Sequence, residues 1–232
     1  MSLPYTTALI VGAGPGIGAA LARRFAALGL KVGVAARDRG RIDALAAQTG
    51  AAAFQVDAAD AASVATLFED AGKRIGPPDV VVYNASRRLR GALAELDPAE
   101  VAQTLAVSAF GAFLVAREAA RLMVPNGRGA ILFTGATAGI KGFSGSAPFA
   151  MGKFALRGLA QSAARELGPK GIHVAHFVID GGVRAPHRPD PVESPDSTLD
   201  PDAIAQTYAD VLAQPRSAWS FEVELRPWVE RF

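Results

Sequence analysis

The sequence predicts an α/β protein, a single doubly wound domain in which about seven parallel strands carry helices on both faces. Two observations predict this class. Short apolar runs alternate along the chain with longer helical patterns, and most of these runs are apolar at successive positions, as strands buried on both faces are. In addition, a glycine-rich segment directly follows the first strand and opens the first helix.

The strands are predicted from the apolar runs, taken in chain order. They cover residues 8–11, 31–35, 52–56, 80–83, 130–134, 173–179 and 220–225. The last run alternates apolar and charged residues, which is typical of a strand with one buried face. After it come Trp228, Val229 and Phe232, an apolar tail that either packs on its own domain or reaches across a subunit boundary.

The helices are predicted between the strands from the spacing of their apolar residues. They cover residues 16–28, 39–48, 61–73, 98–123, 147–167 and 201–212. Gly29, Gly50 and Gly168 follow three of them, where helices often end on a glycine. Segment 184–202 is rich in Pro, Asp and Ser, too polar for a core and too long for a simple connection, so we expect a flap.

Composition limits the possible functions. The chain has 232 residues, half of them apolar, which suits one domain over residues 1–232, and it has no cysteine, which excludes disulfides and thiolate metal sites. No metal site is predicted. Basic residues are scattered, with Arg87, Arg88 and Arg90 the tightest cluster, so no nucleic-acid surface is expected. The apolar stretch 8–13 lacks a preceding basic region, so we expect neither a signal peptide nor a membrane span, and a cytoplasmic location.

The glycine-rich segment is the first candidate binding site. It contains Gly12, Gly14, Gly16, Ile17 and Gly18. Glycines allow a tight turn, and the first turn of the following helix then presents N–H groups to a pyrophosphate. The alternative is a strand-to-helix turn without a ligand. Its position after the first strand and before an amphipathic helix favours a nucleotide site in a Rossmann-type domain.

The end of the second strand indicates which dinucleotide binds. Arg37 lies about 20 residues beyond the glycines, where an arginine suits the 2′-phosphate of NADP and an acidic residue would suit NAD. NADP is therefore expected, and NAD is less favoured. The alternative makes Arg37 a solvated surface charge and Asp38 a helix cap. Asp57, after the third strand, either accepts a hydrogen bond from the adenine amino group or caps the following turn, and both remain open.

Several motifs together resemble the short-chain dehydrogenase/reductase family. They are the glycine turn, Asn84-Ala85-Ser86 after the fourth strand, Lys153, and the segment from Glu166 to Val174. The resemblance extends from Thr6 to about Gly182. It implies a Rossmann-type domain that moves a hydride between a nicotinamide cofactor and a carbonyl or alcohol carbon of a small-molecule substrate. It also implies cofactor contacts at Asn84 and Ala85, and a homodimer or homotetramer formed through helices 98–123 and 147–167.

The catalytic residues of the family are Asn, Ser, Tyr and Lys, and this sequence retains one of them. Lys153 matches the lysine that holds the nicotinamide ribose. Phe149 stands at the tyrosine position, Ala136 at the serine position and Ser108 at the asparagine position. A phenyl ring and a methyl group cannot donate a hydrogen bond to a developing alkoxide. Losing both donors should cripple the usual reaction, since each contributes roughly 10²-fold or more.

Other residues could supply the missing proton. Ser144 and Ser146 precede Phe149 by one turn or less, and each is equally compatible with a helix N-cap. Thr137 follows the vacant serine position, and Asp180 replaces the proline usual after the sixth strand. The last candidate, His176, has apolar neighbours and is better explained as a core histidine.

Two functions therefore remain open. In the first, the chain is an NADP-dependent oxidoreductase in which another residue has replaced the general acid, or whose substrate needs no strong acid. In the second, it is an NADP(H)-binding protein without turnover, acting as a sensor or an inactive subunit. The walls of a substrate pocket are expected from residues 86–93, 139–146 and 182–202. The side chains of these segments do not indicate a class of substrate. The polar flap slightly favours a small-molecule ligand and turnover.

Overall fold

The computed structural model describes residues 3–230 and confirms the α/β class. Its strands are β1 (Thr7–Val11), β2 (Lys31–Ala36), β3 (Ala52–Gln55), β4 (Val80–Tyr83), β5 (Gly129–Thr134), β6 (Ile172–Ile179) and β7 (Glu222–Leu225). Its α-helices are α1 (Ile17–Ala27), α2 (Arg39–Thr49), α3 (Ala61–Arg74), α4 (Pro98–Leu105), α5 (Gly111–Met123), α6 (Ala147–Leu167) and α7 (Pro201–Leu212). The ends of each predicted strand and helix lie within two residues of the observed ends, except that the predicted helix 98–123 is interrupted.

All seven strands form one parallel sheet in the order β3-β2-β1-β4-β5-β6-β7. The chain first builds outward from β1 through β2 to β3, and then crosses back to place β4 on the other side of β1. Strand order therefore reverses between β1 and β4. In open α/β sheets such a reversal leaves a crevice outside the carboxyl ends of the strands, where ligands bind.

Two helical layers bury the two faces of the sheet. On one face α3, α5 and α6 pack on Leu9 and Val11 of β1. On the other face α1, α2 and α7 pack on Ala8 and Ile10 of the same strand. Because successive side chains of a strand point to opposite faces, one apolar strand contributes to both cores. This arrangement explains why the strand sequences are apolar at successive positions.

The predicted helix 98–123 contains an interruption that the sequence did not indicate. A wide π-helical turn, Ala106–Phe110, joins α4 to α5. Within this turn the carbonyl of Val107 accepts a hydrogen bond from the buried hydroxyl of Tyr83, at the end of β4. This bond satisfies a backbone carbonyl where the regular helical pattern changes.

Helical segment Pro98–Asn126 is also long and apolar enough, by length and composition, to cross a membrane. In this fold, however, α5 packs its buried face against the sheet, as a core helix of a soluble domain does.

The ends of two helices differ in conformation. Gly50 adopts the left-handed conformation (φ +70°) after α2, as the capping prediction requires. Gly168 also follows its helix, but its backbone is right-handed (φ −55°), and the chain continues through the short helical turn Gly168–Lys170. The left-handed glycine at that end is Gly171 (φ +83°). The chain thus turns toward β6 three residues later than the sequence indicated.

The predicted flap, 184–202, lies beyond β6 and is organised around Arg184. The Arg184 guanidinium pairs with Asp190 at 3.2 Å and with Asp196 at 2.6 Å. Thr198 donates its hydroxyl to Asp190, which closes the cluster. The C-terminal tail does not pack Trp228 on its own domain, since this side chain is 81% exposed. Phe232 lies outside the described residues.

Candidate functional site

A cavity of about 660 Å³ opens at the carboxyl ends of β1, β4, β5 and β6. It is lined by the glycine turn after β1, the loop after β4, the segment after β5, the start of α6 and the beginning of the flap. Pro15, Asn84, Ala136, Lys153 and Arg184 represent these five segments. The cavity therefore occupies the crevice that the reversal of strand order predicts, and the separate sequence motifs meet there.

The glycine turn is held close to the neighbouring loops. A β-carbon on Gly12, whose φ is +86°, would lie 2.2 Å from the backbone nitrogen of Ala85, so another residue at Gly12 would displace the loop after β4. Asn84 fixes the same approach, because its side-chain amide donates to the Gly12 carbonyl at 2.9 Å. Asn84 and Ala85 thus shape the turn.

The N-terminus of α1 is suited to an anion. Gly16 occupies the N-cap position without a side-chain cap, and the first turn contains no acidic residue. Gly16 and Ile17 line the cavity, and a β-carbon on Gly14 would meet no atom within 4 Å, so the space beside Gly14 is open. Gly18 packs against Ala13, where a β-carbon would lie 2.8 Å from the Cα atom of Ala13. The turn therefore leaves room for a phosphate at the positive end of the helix.

Arg37 lies just beyond β2 and is exposed. The N–H groups of Gly12 and Ala13 both donate to the Ala35 carbonyl, at 2.8 and 3.1 Å, which holds the glycine turn beside the end of β2. Within residues 3–230 the Arg37 guanidinium forms no ion pair. Asp38, by contrast, is the N-cap of α2 and accepts from the Arg41 N–H, as the capping alternative predicted.

Asp57 caps the turn that follows β3. Its carboxylate accepts from the Ala59 N–H at 3.0 Å, and its own N–H donates to the Ser63 hydroxyl at 3.0 Å. One carboxylate oxygen of Asp57 therefore caps the turn, as the capping alternative predicted. The side chain is exposed, and its second oxygen leaves an adenine contact possible.

Lys153 is a buried cation on the cavity wall. Only 3% of this residue is exposed, and its ammonium donates to the Thr134 carbonyl at 2.7 Å. No carboxylate pairs with it among the residues described. Burial lowers the pKa of Lys153 from its ordinary value to about 8. A buried ammonium with one hydrogen bond has two more N–H groups to offer to a ligand.

Phe149 and Ala136 line the same cavity as Lys153. The Lys153 ammonium lies 5.9 Å from the centre of the Phe149 ring, and the Arg88 guanidinium lies 5.4 Å from it. Both distances are within the range of a cation–π contact. The phenyl ring thus accepts two cations, whereas neither it nor the Ala136 methyl group provides a hydrogen-bond donor.

The cavity wall also contains four of the residues considered as proton donors, Thr137, Ser144, Ser146 and Asp180. Asp180 is buried, and its carboxylate accepts from the Thr137 hydroxyl. Ser146 occupies the N-cap position of α6, but its hydroxyl makes no capping hydrogen bond. Ser144 is exposed on the same wall. Ser146 therefore keeps a hydroxyl beside Phe149 that helix capping does not use.

Two candidates lie outside the cavity wall. Ser108 is fully buried against α6, where a β-carbon on Gly152 would lie 2.7 Å from its own, and its hydroxyl accepts from the Arg87 N–H at 3.2 Å. His176 is also fully buried, and its Nδ1 donates to Glu222 at 2.9 Å. Its Nε2 faces Gly135 and has no hydrogen-bond partner among residues 3–230, so this core histidine is only half satisfied there.

Sequence reasoning identified the wall segments but not their charge. Arg88, Arg90, Arg184, His187 and Arg188 all line the cavity. The sequence signal was the cluster of arginines after β4, yet it did not show that the loop after β6 brings further arginines to the same place. Residues 189–202 of the expected wall do not line the cavity.

Comparison with known proteins gives matches over most of the chain. Residues 6–190 match the family model described as short chain dehydrogenase. A cyclic-di-GMP-binding biofilm dispersal mediator protein of Escherichia coli is 35% identical over 170 residues, covering 72% of this chain and 69% of that protein.

Two solved structures are similar over nearly the whole chain. A short-chain dehydrogenase from Rhodopseudomonas palustris has a TM-score of 0.84 and 36% identity, covering 96% of this chain and 99% of its own. A metagenomic short-chain oxidoreductase in complex with NADP has a TM-score of 0.85 and 28% identity, covering 99% of this chain and 100% of its own.

Proposed function

This chain belongs to the short-chain dehydrogenase/reductase family, and on that premise we propose that it is an NADP(H)-dependent oxidoreductase with a non-standard active site. The substrate is a small carbonyl or alcohol compound, or a related one such as a conjugated alkene or imine. The observation that carries the proposal is the cavity at the reversal of strand order, which brings together the glycine turn and a buried lysine that no carboxylate of the described residues pairs with.

The cofactor fits the residues around this cavity. Gly12, Gly14, Gly16, Ile17 and Gly18 would receive the pyrophosphate at the N-terminus of α1, which has no cap and no acidic residue. Asn84 and Ala85 support the turn from the neighbouring loop. Such a cofactor supplies or accepts a hydride when it is bound.

The choice of NADP over NAD rests on Arg37. Its guanidinium is exposed beside the glycine turn and has no ion-pair partner in the part of the chain that the structure describes, so it is available to a 2′-phosphate. Asp57 would contact the adenine through the carboxylate oxygen that its turn does not use. The NADP in the metagenomic relative agrees with this assignment.

The active site is proposed to lack the family's usual serine and tyrosine, because Ala136 and Phe149 occupy the corresponding positions. Lys153 then has two roles. Its ammonium donates to the nicotinamide ribose, and with a pKa of about 8 it is an acid suited to neutral pH. Ser146 shares the cavity wall with the Asp180–Thr137 pair, and its hydroxyl, which helix capping does not use, could relay the proton. Ser108 would act only by supporting α6.

The second candidate is an NADP(H)-binding protein without turnover, acting as a sensor or an inactive subunit. The missing hydroxyls favour it directly, since a retained Lys153 serves cofactor binding even where chemistry is lost. The Escherichia coli relative, which is named as a cyclic-di-GMP-binding biofilm dispersal mediator and not as an enzyme, supports the same alternative.

The proposal includes assembly and location. We propose a homodimer or homotetramer, supported by large apolar side chains left exposed on the two helices that the family resemblance implicates; these are Phe110, Phe113, Met151 and Phe154. A cytoplasmic location is part of the same proposal.

Turnover tests the active-site assignment. NADPH oxidation by the unmodified protein should be undetectable or very slow with ordinary ketones, since no donor stands at the positions of Phe149 and Ala136. The double variant Phe149→Tyr, Ala136→Ser should raise the rate by about 10²-fold or more. Phe143→Tyr, which adds the same hydroxyl elsewhere on the cavity wall, is the matched control and should not.

Brisk ketone reduction by the unmodified protein would contradict the expectation that Phe149 and Ala136 weaken the site, and would show that another residue has fully taken the acid's role; single changes at Ser144, Ser146 and Asp180 would then locate it. Tight NADPH binding with no turnover in either form, over a broad panel of ketones, alkenes and imines, would favour the second candidate.

A further inference from the structure

We propose that the ligand of this cavity carries an anionic group, a carboxylate or a phosphate, and that Arg88, Arg90 and Arg188 bind it at the cavity mouth above Phe149. This inference rests on the proposed function, because it assigns the substrate class of the same cavity. It concerns the mouth of the cavity and not the site of the 2′-phosphate, which lies outside the cavity at Arg37.

The three arginines come from distant parts of the sequence. Arg88 and Arg90 belong to the loop after β4, and Arg188 belongs to the loop after β6, about one hundred residues later. All three line the cavity. Desolvation, followed by the positive charges of Arg90 and Arg188, lowers the pKa of Arg88 from its ordinary value. Like charges from two loops have therefore been brought together at one opening, which disfavours the ligand-free arrangement.

No carboxylate of the described chain neutralises these three groups. Arg87, next in sequence, is paired with Glu100. In the flap, Asp190 and Asp196 are committed to Arg184. Arg88, Arg90 and Arg188 form no ion pair within residues 3–230.

The acids on the cavity wall do not cancel the positive charge. The cavity is lined by Arg88, Arg90, Arg184, Arg188 and Lys153. Arg184 is already paired with Asp190 and Asp196, so four cations remain, and against them the described part of the wall has two carboxylates, Asp180, which accepts from Thr137, and Glu230. A concave surface of one sign concentrates ligands of the opposite sign, and a guanidinium binds carboxylates and phosphates through paired N–H donors.

The position of Arg88 connects this charge to the reaction site. Its guanidinium lies 5.4 Å from the centre of the Phe149 ring, which also lies 5.9 Å from the Lys153 ammonium. The ring therefore contacts both the buried cation, Lys153, and one of the exposed cations, Arg88. A small ligand held by the arginines would therefore present its reacting carbon near Lys153, within a cavity of about 660 Å³.

Matched probes that differ only in charge test the inference. We would titrate benzoylformate against its methyl ester, and dihydroxyacetone phosphate against dihydroxyacetone, by calorimetry into NADPH-saturated and cofactor-free protein. At least one anionic probe should bind about tenfold or more tightly than its neutral partner, and more weakly at high salt. The carboxylate and phosphate pairs separate the two kinds of anion.

The triple variant Arg88→Gln, Arg90→Gln, Arg188→Gln should lose this preference and keep its NADPH affinity within about threefold. Arg117→Gln, Arg121→Gln, Arg165→Gln removes the same charge elsewhere and should keep the preference. A preference below threefold in both pairs, or no binding of any probe, overturns the inference, as does a preference that survives the first triple variant. Failure of the proposed function would appear separately, as loss of NADPH binding by the unmodified protein.

Discussion

The phenyl ring of Phe149 limits the hydrogen bonds that its neighbour Lys153 can form. The phenyl ring offers Lys153 no hydrogen bond, and within residues 3–230 the buried ammonium donates a single one, to the Thr134 carbonyl. Desolvating an ammonium without a counter-charge costs free energy of folding, and the lowered pKa expresses this cost. A ligand that accepts the remaining N–H groups would offset it. The residues of this cavity are therefore better explained by a bound cofactor than by the isolated chain.

Lys153 provides the first prediction. Lys153→Met should raise the free energy of unfolding of the cofactor-free protein at pH 7 by about 1–3 kcal/mol, because it removes an uncompensated buried charge. The same change should weaken NADPH binding by roughly ten- to a hundred-fold, the value of one charge-assisted hydrogen bond. Urea unfolding and calorimetry measure the two effects, with the exposed Lys31→Met as control. Unchanged NADPH affinity in the variant would show that Lys153 does not contribute to cofactor binding.

The stability effect should depend on pH. The folded-state pKa of about 8 lies below the ordinary lysine value of 10.5, so between these values the unfolded chain binds more protons than the native one. The unfolding free energy contributed by this group therefore rises with pH through that window. The gain from Lys153→Met should be full below pH 8 and should shrink as the pH approaches 10.5. A gain independent of pH would show that packing, rather than charge, is its cause.

Arg37 carries the second residue-scale prediction. The unmodified protein should bind NADPH more tightly than NADH by about 1–3 kcal/mol, and Arg37→Ala should erase the difference, since only the 2′-phosphate distinguishes the two cofactors. Arg41→Ala, which removes an exposed neighbour already paired with Asp38, is the control and should keep the preference. Equal affinity of the unmodified protein for both cofactors would contradict the role of Arg37.

At the scale of the secondary-structure elements, the edge strand β7 is attached to its neighbours by polar contacts of Glu222. Glu222 accepts two hydrogen bonds from Arg157 of α6, at 2.8 and 2.6 Å, and one from His176 of β6. Glu222→Ala should cost about 1–3 kcal/mol, because it leaves a guanidinium and a buried imidazole unpaired. Urea unfolding measures the cost, with Glu166→Ala, at an exposed ion pair, as control, expected to cost less than about 0.5 kcal/mol. An equal loss of unfolding free energy in the two variants would show that Glu222 does not stabilise β7.

The same carboxylate gives β7 an acid sensitivity. Hydrogen bonds from Arg157, followed by those from His176, hold the pKa of Glu222 below its ordinary value. Its contribution to stability is therefore complete above the ordinary carboxyl pKa and is lost as the pH falls through the lowered one.

The elements differ in how well their sequences predicted them. Strands and helices were found because apolar periodicity reports burial directly, as in β1, whose residues serve both cores. The π-helical turn at Ala106–Phe110 was missed, because its partner is the Tyr83 hydroxyl, which only the folded chain brings near. The arginine cluster was missed for the same reason, since Arg188 joins Arg88 only through the path of the chain after β6. Local sequence predicts elements, whereas contacts between loops depend on topology.

At the scale of the whole molecule, the exposed apolar side chains of the π-helical turn, α5 and α6 predict self-association. Phe110 and Phe113 are about half exposed and lie 6.1 Å apart, centre to centre. Phe113→Glu with Phe154→Glu should shift a homodimer or homotetramer toward monomer in sedimentation velocity, because each change buries a charge in an apolar contact. Leu93→Glu, at an exposed site outside these helices, should not. A monomeric unmodified protein at tens of micromolar would contradict the proposal.

The most direct test of the whole account is a calorimetric titration of the unmodified protein with NADPH. The account predicts one NADPH bound per chain. The glycine turn, Arg37 and Lys153 would contact the pyrophosphate, the 2′-phosphate and the nicotinamide ribose, and only the intact cofactor carries all three groups. Absence of NADPH binding up to millimolar concentration, in protein shown to be folded by circular dichroism, would contradict the account.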